Sequence, residues 1–442
     1  MKPPSWPEVR AMLRLAAPIA ALQLGLMLYG VVDMMFLGRL GPDALSGVGV
    51  GNAVYFGLFI AGLGAMLGID TMSSRAWGAG QPKVCAAVFV HAVVLALGTA
   101  LILFAGLHLA GPFYRLVGVD PGVAATALTF LGVLKYTIFP GILFVACRQY
   151  LQSMDVTRPL LWAIALGNLL NAFLNWVLIF GRLGAPALGV RGSATASLAA
   201  TWLMLAVVGT VAARRVRASG WRFHGWHRSV FAELLALGIP AGLQTLTEVC
   251  AFAFTTLLMG RLGAVPVSGH QIVLNMASVT FMVPLGISMS AAVRVGQGLG
   301  AGDRPAAARA GDTAIAVGVA FMALTAAVFW AVPEALVRLY TSDAAVLAVA
   351  VPLVHIAALF QVFDGAQVVL TGALRGVGET RLPLWANLFG HWAVGVPVGA
   401  TLGLSLGWGP RGLWWGLSLG LVLTAGLLYW AWRRRSAPLR ET

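Results

Sequence analysis

About twelve apolar runs, each bounded by short polar stretches, leave this chain few ways to fold. Val84 to Leu107, Val190 to Ala213 and Gly412 to Trp432 are representative. A helix of about 20 apolar residues crosses the hydrocarbon core of a bilayer, whereas barrel strands would alternate apolar and polar side chains. With 59% hydrophobic and 10% charged residues among 442, the chain is far more apolar than a soluble domain. The sequence predicts an all-α integral membrane protein with spans near 10–37, 44–72, 84–108, 122–147, 159–181, 189–213, 231–259, 266–294, 306–332, 345–374, 382–404 and 411–433. "MKPPSWPEVRAMLRL" lacks the apolar region and cleavage chemistry of a signal peptide, so the first run is expected to remain as a helix.

A net charge of +14 raises the question of nucleic acid, and the placement of the charges answers it. Lys2, Arg10, Arg14, Arg75, Lys83, Arg148, Arg158, the 214–228 loop, Arg375 and Arg433 to Arg435 all fall on one side of the alternating loops. By the positive-inside rule both termini are expected in the cytoplasm, in a bacterial-type inner (cell) membrane, with no nucleic-acid partner. The three cysteines, Cys85, Cys147 and Cys250, lie in apolar segments without metal-ligand spacing and read as small buried hydrophobes.

The chain also repeats itself. "LAAPIAALQLGLMLYGVVDMMFLGRLGPDALSG" aligns with "LGIPAGLQTLTEVCAFAFTTLLMGRLGAVPVSG", setting Pro18 opposite Pro240 at an offset of 240 − 18 = 222. Gly78-Ala79-Gly80 recurs as Gly300-Ala301-Gly302 in the same register, and Trp162 pairs with Trp385 one residue further on. Two halves of six spans that start on the same side are parallel repeats about an axis along the membrane normal. The expected domains are an N-lobe at 1–213, a cytoplasmic linker at 214–228 and a C-lobe at 229–442. The linker, "RRVRASGWRFHGWHR", reads as a topology anchor, with a specific lipid or partner site as the alternative.

The acids are what the repeat does not copy. Asp33 faces Thr255, and Glu248 faces Leu26, so each half has placed its carboxylate separately. A charge at the centre of a spanning helix is unfavourable by about 2.5–3.5 kcal/mol, so Asp33, Glu248 and Asp364 are candidates for work inside the membrane. Asp70 lies nearer a helix end. One intramembrane lysine, Lys135, can pair with at most one of these four acids. In the fifth span Asn171 and Asn175 are four apart on one helix face, with Asn168 a turn earlier. Their amide oxygens, with a carboxylate, suit a hard cation, although polar contacts between helices would use the same residues.

Other motifs are missing or misplaced. No lysine follows a glycine, so there is no Walker A loop, and H-E-x-x-H is absent. "GLSLG" occurs at 403–407 and 416–420, within or beside apolar spans and without the strand-to-helix turn that exposes a nucleophile. The glycine runs "GVGVG" and "GQGLGAG" fit close helix packing and helix ends.

Taken together, "VDMMFLGRLG", "SSRAWGAG", "LNAFLN", "TEV" around Glu248, "GHQIVLNMASVTFMVPLGISMSAAVRVGQGLGAG" and "FDGAQVVLTGALRGVGET" make the chain resemble the MATE family, the multidrug and toxic compound extrusion transporters, and most of all its NorM-type branch. The resemblance covers essentially the whole chain. It implies two pseudo-symmetric six-helix lobes, and export of amphipathic, cationic organic compounds in exchange for inward Na⁺ or H⁺. It also implies an N-lobe cation site at Asp33, Asn171, Asn175 and Ser197, and coupling acids at Glu248 and Asp364. The family often has an acid at position 175 and a threonine at position 197, so Asn175 and Ser197 leave the ion open and tilt the reading toward the proton.

On this reading the protein is an antiporter with no cofactor beyond the coupling ion, and not an enzyme. It is expected to act as a monomer on a small organic molecule, in contact with membrane lipid. Asn168, Met34, Met282, Gln271 and Asn275 are candidates for the substrate cavity, within an adaptable wall to which Met27, Met35, Met276 and Met289 also contribute. A lipid-linked oligosaccharide flippase of the same superfamily, or an intramembrane enzyme using Glu248 or Asp364 in acid–base chemistry, are the alternatives.

Overall fold

The computed structural model describes residues 5–440, and Lys2 lies outside them. Among the described residues there is no strand, and twelve helices are long and apolar enough to cross a membrane. Spans 1 to 6 are Trp6–Leu40, Asp43–Gly78, Pro82–Leu107, Pro121–Gln152, Arg158–Phe180 and Val190–Ala218. Spans 7 to 12 are Arg228–Gly260, Ala264–Gly300, Arg304–Ala331, Ala344–Gly376, Arg381–Ser405 and Pro410–Arg440. Several run past their apolar stretch: span 8 continues to Gly300 and span 12 to Arg440. Once a helix is nucleated each further residue adds a hydrogen bond, so apolar length sets what lies in hydrocarbon and not where the helix stops.

Two short helices, Ala110–Val117 and Pro333–Arg338, escaped the sequence reading because they are too short and too polar to register as spans. Each precedes a span that starts on an aspartate. Asp120 Oδ1 accepts from the backbone N–H of Gly122 at 2.9 Å and of Val123 at 3.1 Å, and Asp343 Oδ1 does the same for Ala345 and Val346 at 2.8 and 3.2 Å. These caps satisfy donors that a helix start leaves open, and they repeat at 343 − 120 = 223.

The chain forms two compact units, one of residues 21–242 and one of 1–20 with 243–442. In the first, span 4 packs on spans 2, 3 and 6, and span 5 on span 6. In the second, span 10 packs on spans 8, 9 and 12, and span 11 on span 12. Adding six to each span number converts one pattern into the other, which is the internal repeat expressed as packing. The largest cluster of buried apolar side chains fills the first unit, around Phe130, Tyr150 and Ile142. In the second unit Ala16 and Met12 pack with Ile287 and Ala291, and Leu15 and Ile19 with Met289 and Val293.

Span 11 departs from α-helical winding. Leu388–Gly395 and Thr401–Ser405 are π-helical on either side of the short helix Val396–Ala400. Glycines bring this span against span 12. A Cβ on Gly416 would lie 2.2 Å from Gly399 Cα, and one on Gly420 would lie 2.6 Å from the Gly390 carbonyl oxygen. Lipid tails are as apolar as leucine, so helices associate in a bilayer through such close packing more than through the hydrophobic effect. Both "GLSLG" stretches sit at this seam, and Ser418 Oγ donates to the Trp414 carbonyl one turn back at 2.8 Å, so it is a packed serine and not an exposed nucleophile. Gly416→Leu is expected to destabilise the protein by about 1–3 kcal/mol through overpacking, lowering its melting temperature in detergent. Gly426→Leu, where a Cβ meets nothing within 4 Å, should leave it near wild type; equal melting of the two variants would argue against the seam.

Candidate functional site

Helical periodicity sets Leu22, Leu26, Tyr29, Asp33 and Leu37 along one side of span 1. Leu22, Asp33 and Leu37 are buried, while Leu28, Val31, Met34 and Met35 on the other side are exposed. Asp33 therefore faces protein. Spans 5 and 6 supply its partners. Asn171 Nδ2 and Asn175 Nδ2 donate to Asp33 Oδ1 at 2.9 and 2.6 Å, and Ser197 Oγ donates to Oδ2 at 2.9 Å. Asn175 Nδ2 also donates to Asn171 Oδ1 at 3.1 Å, and Asn171 Nδ2 lies 3.4 Å from Ser197 Oγ. All three donors to the carboxylate are neutral, so they stabilise its charge without cancelling it. Asn175 Oδ1 is buried with no hydrogen-bond partner, which gives the site a spare oxygen.

An outer ring holds this arrangement. Tyr29 Oη and Thr201 Oγ1 both donate to the Ser197 carbonyl, at 3.0 and 2.7 Å. Asn168 donates to the carbonyls of Gly25 at 3.1 Å and Ile164 at 3.0 Å. It thus ties span 5 to span 1 about two turns before the carboxylate, and lies on the same helix face as Asn171 and Asn175.

The second unit has its own acidic cluster. Gln367 Nε2 donates to Glu248 Oε1 at 2.7 Å, and Gln244 Nε2 lies 3.3 Å from Oε2. Asp364, one turn before Gln367 on span 10, interacts electrostatically with Glu248, so the two acids share one neighbourhood. Its Oδ1 is buried without a hydrogen-bond partner. Asn387 Nδ2 reaches Gln367 Oε1 at 3.5 Å and the Pro383 carbonyl at 3.2 Å. His391 Nδ1 bonds the Asn387 carbonyl at 3.2 Å, and its Nε2 is buried without a partner. Thr280 Oγ1 donates to the buried Gln361 at 3.1 Å. As in the first unit, the hydrogen bonds to Glu248 come from neutral amides.

Other singled-out residues lie elsewhere. Lys135 sits in the 3₁₀ turn Lys135–Thr137 within span 4. Its Nζ is 3.1 Å from His108 Nε2 and 5.4 Å from the ring centroids of Phe104 and Tyr136. It thus stands against an imidazole and two aromatic faces. Asp70 is buried in the helix Gly68–Gly78 among Thr71, Ser73 and Ser74. Met34, Gln271 and Asn275 are exposed and Met282 is half-buried; Asn275 Oδ1 accepts from Tyr340 Oη at 3.1 Å. Cys85 and Cys147 are buried, but Cys250 is exposed, contrary to its reading as a buried hydrophobe. An apolar sequence does not say which helix face turns outward.

Sequence reasoning passed over Tyr29, Thr201, Gln244, Gln367 and Asn387. The glutamines carried a usable signal: Gln244 stands four residues before Glu248, and Gln367 three after Asp364, both on shared helix faces. Tyr29 and Thr201 act through a backbone carbonyl, for which spacing gives no cue. Among the described residues no group of three His, Cys, Asp or Glu side chains is placed to hold a metal ion. The oxygens around Asp33 come instead from one carboxylate, two amides and a hydroxyl.

Known proteins resemble the chain throughout. The MatE family profile matches residues 18–177 and 240–401, once in each half. The multidrug resistance protein NorM of Burkholderia vietnamiensis is 36% identical over 445 residues, covering 96% of this chain and 94% of that protein. A probable multidrug resistance protein NorM of Mesorhizobium japonicum is 36% identical, covering 97% and 94%. Among solved structures, a eukaryotic MATE transporter superposes with a TM-score of 0.88 at 23% identity, covering 98% of each chain. An outward-facing multidrug resistance MATE transporter of the MOP superfamily reaches 0.90 at 20% identity, covering 98% and 97%. With the family profile present in both halves and relatives this similar over nearly the full length, the chain belongs to the MATE family.

Proposed function

We propose that the protein is a multidrug efflux antiporter that exports amphipathic, cationic organic compounds in exchange for an inward coupling cation. The observation that carries this reading is the Asp33 carboxylate, buried within a membrane span and bonded by neutral donors from spans 5 and 6. A structural ion pair would have cancelled this charge; left uncancelled, it can be neutralised reversibly by a mobile cation. The names of the curated relatives support drug export, and family membership favours a transporter over an enzyme.

Coupling requires that ion and drug bind two states of the protein differently. A carboxylate meets this requirement directly. Loaded with a cation it is neutral and releases a cationic drug; empty, it attracts one. Glu248 and Asp364 offer the same chemistry in the second unit. Outward-facing structures of related transporters are consistent with alternating access, and the charge distribution of the loops favours cytoplasmic termini.

The donor geometry favours the proton as the coupling ion. To take up a proton, Asp33 needs only one neighbour to become an acceptor, and Ser197 can do so by rotating its hydroxyl hydrogen. A Na⁺ ion at Oδ1 would instead displace the N–H groups that Asn171 and Asn175 now present there, and these amides would have to rotate to offer it oxygen. Wild-type protein in reconstituted vesicles is expected to extrude ethidium under a pH gradient alone in Na⁺-free buffer; strict dependence on a Na⁺ gradient would reassign the ion.

Two mutational outcomes follow. Asp33→Asn keeps size and hydrogen bonding but removes the charge, and should reduce gradient-driven efflux by about 5- to 150-fold, the range of typical coupling free energies. Unchanged transport under both gradients would remove Asp33 from the mechanism. Glu248→Gln and Asp364→Asn should reach the membrane at near-normal levels and fail to confer drug resistance; wild-type efflux by either under a saturating gradient would exclude that acid from coupling.

A further inference from the structure

The linker at 214–228 is more than a tether. Span 6 ends at Ala218, Gly220 turns the chain at φ +66°, and residues 221–227 run without regular structure. His91, buried in span 3, pins this loop. Its Nδ1 lies 2.7 Å from the Ala87 carbonyl and must carry the proton that bonds it, which leaves Nε2 to accept from the His227 backbone N–H at 3.0 Å. Trp226 and Phe231 pack on the same imidazole at 5.3 and 5.0 Å between ring centroids, and Phe223 meets Trp226 at 4.8 Å. Phe223 and Trp226 nevertheless remain 53% and 54% exposed. The loop is therefore fastened on one side and displays aromatic rings on the other.

Between this loop and the start of span 3 lies a cavity of about 420 Å³, lined by Lys83, Trp221, Arg222, His224 and Gly220 among others, with no aspartate or glutamate. The Lys83 stem runs beside the turn, its Cε 3.9 Å from where a Gly220 Cβ would stand. Arg214, Arg215 and Arg217 extend the positive field along the last turns of span 6. The apolar run of span 3 begins at Val84, next to Lys83, and that of span 6 ends at Ala213, so the cavity lies where apolar sequence gives way to polar, at the edge of the hydrocarbon layer.

We propose that this cavity binds the phosphate-bearing headgroup of an anionic phospholipid, with Lys83 and Arg222 on the phosphate and Phe223 and Trp226 in the interfacial layer. Charge selects an anion. The exposed aromatic rings select a lipid over a soluble phosphate, since amphipathic rings settle at headgroup level and basic clusters beside a span attract anionic lipid. A simple topology anchor would need the arginines but neither a cavity nor a loop pinned through a buried histidine.

Native mass spectrometry of the purified full chain, titrated with phosphatidylglycerol and with phosphatidylcholine, tests the site. One phosphatidylglycerol should bind more tightly than any phosphatidylcholine. Lys83→Gln with Arg222→Gln should weaken that binding by roughly 30-fold, at about a fivefold loss per cation near an anionic surface, while Arg433→Gln with Arg434→Gln should not. Unaltered affinity in the first pair, or an equal loss in the second, would overturn the proposal. Displacement of the lipid by millimolar inorganic phosphate would also overturn it, in favour of a soluble anion. Brominated lipids give a second reading that leaves Lys83 and Arg222 in place: the difference in quenching between wild type and Trp221→Phe should show Trp221 quenched by brominated phosphatidylglycerol and not by brominated phosphatidylcholine. Equal quenching by both would sink the idea.

Discussion

Hydrocarbon offers a peptide group nothing to bond with, and this constraint governs the rest of the molecule. Each backbone N–H and C=O within the bilayer must be satisfied inside its own segment, which leaves helices as the solution for a chain with long apolar runs. Side-chain polarity within a span is then accepted most readily where a helix faces another helix or a polar cavity. Asp33, Asn171, Asn175 and Ser197 obey this rule, each buried and bonded to the others. So do the glutamines around Glu248. The same constraint explains the glycine contacts of spans 11 and 12, because helices that gain little from excluding water must gain from approaching closely.

Much of the architecture was legible because the signals were long. The apolar runs place all twelve spans to within a few residues, with the largest differences at helix ends that continue beyond hydrocarbon, such as Gly300 and Arg440. The short helices Ala110–Val117 and Pro333–Arg338 were invisible to a span-length criterion. For the site, the spacing of Asn171 and Asn175 told which face they share, and the structure adds that Asp33 lies on it. Lys135 shows what counting leaves open: it limited ion pairing to at most one acid without naming a partner, and in the structure His108 and two aromatic rings stand beside the lysine. Sequence spacing orders residues along one helix and says little about which helix lies opposite.

The two units share a packing plan but not its chemistry. In the first, the polar centre joins spans 1, 5 and 6; in the second it joins spans 7, 10 and 11. At the position matching Asp33 the second half has Thr255, whose hydroxyl donates to the Ala251 carbonyl of its own helix at 2.9 Å. Asn168 and His391 occupy matching positions, 391 − 168 = 223, and both belong to the polar layer of their unit. Duplication thus supplied two scaffolds of one kind, and separate substitutions gave each a different acidic centre.

The division of the chain into 21–242 and 1–20 with 243–442 has a consequence for biosynthesis. The opening helix is made well before span 8, yet Leu15 and Ile19 cluster with Met289 and Val293 of that span. Glu8 likewise waits for Arg309 in span 9, which it meets at 2.9 Å. These contacts of span 1 can therefore form only after spans 8 and 9 have been made. The early segment of span 7, up to Gly242, has no such delay, because a Cβ on Gly242 would already meet Gly64 Cα at 2.7 Å in a unit synthesised before it. One unit is continuous in sequence, while the other draws in a segment of span 1 made before the whole of the first.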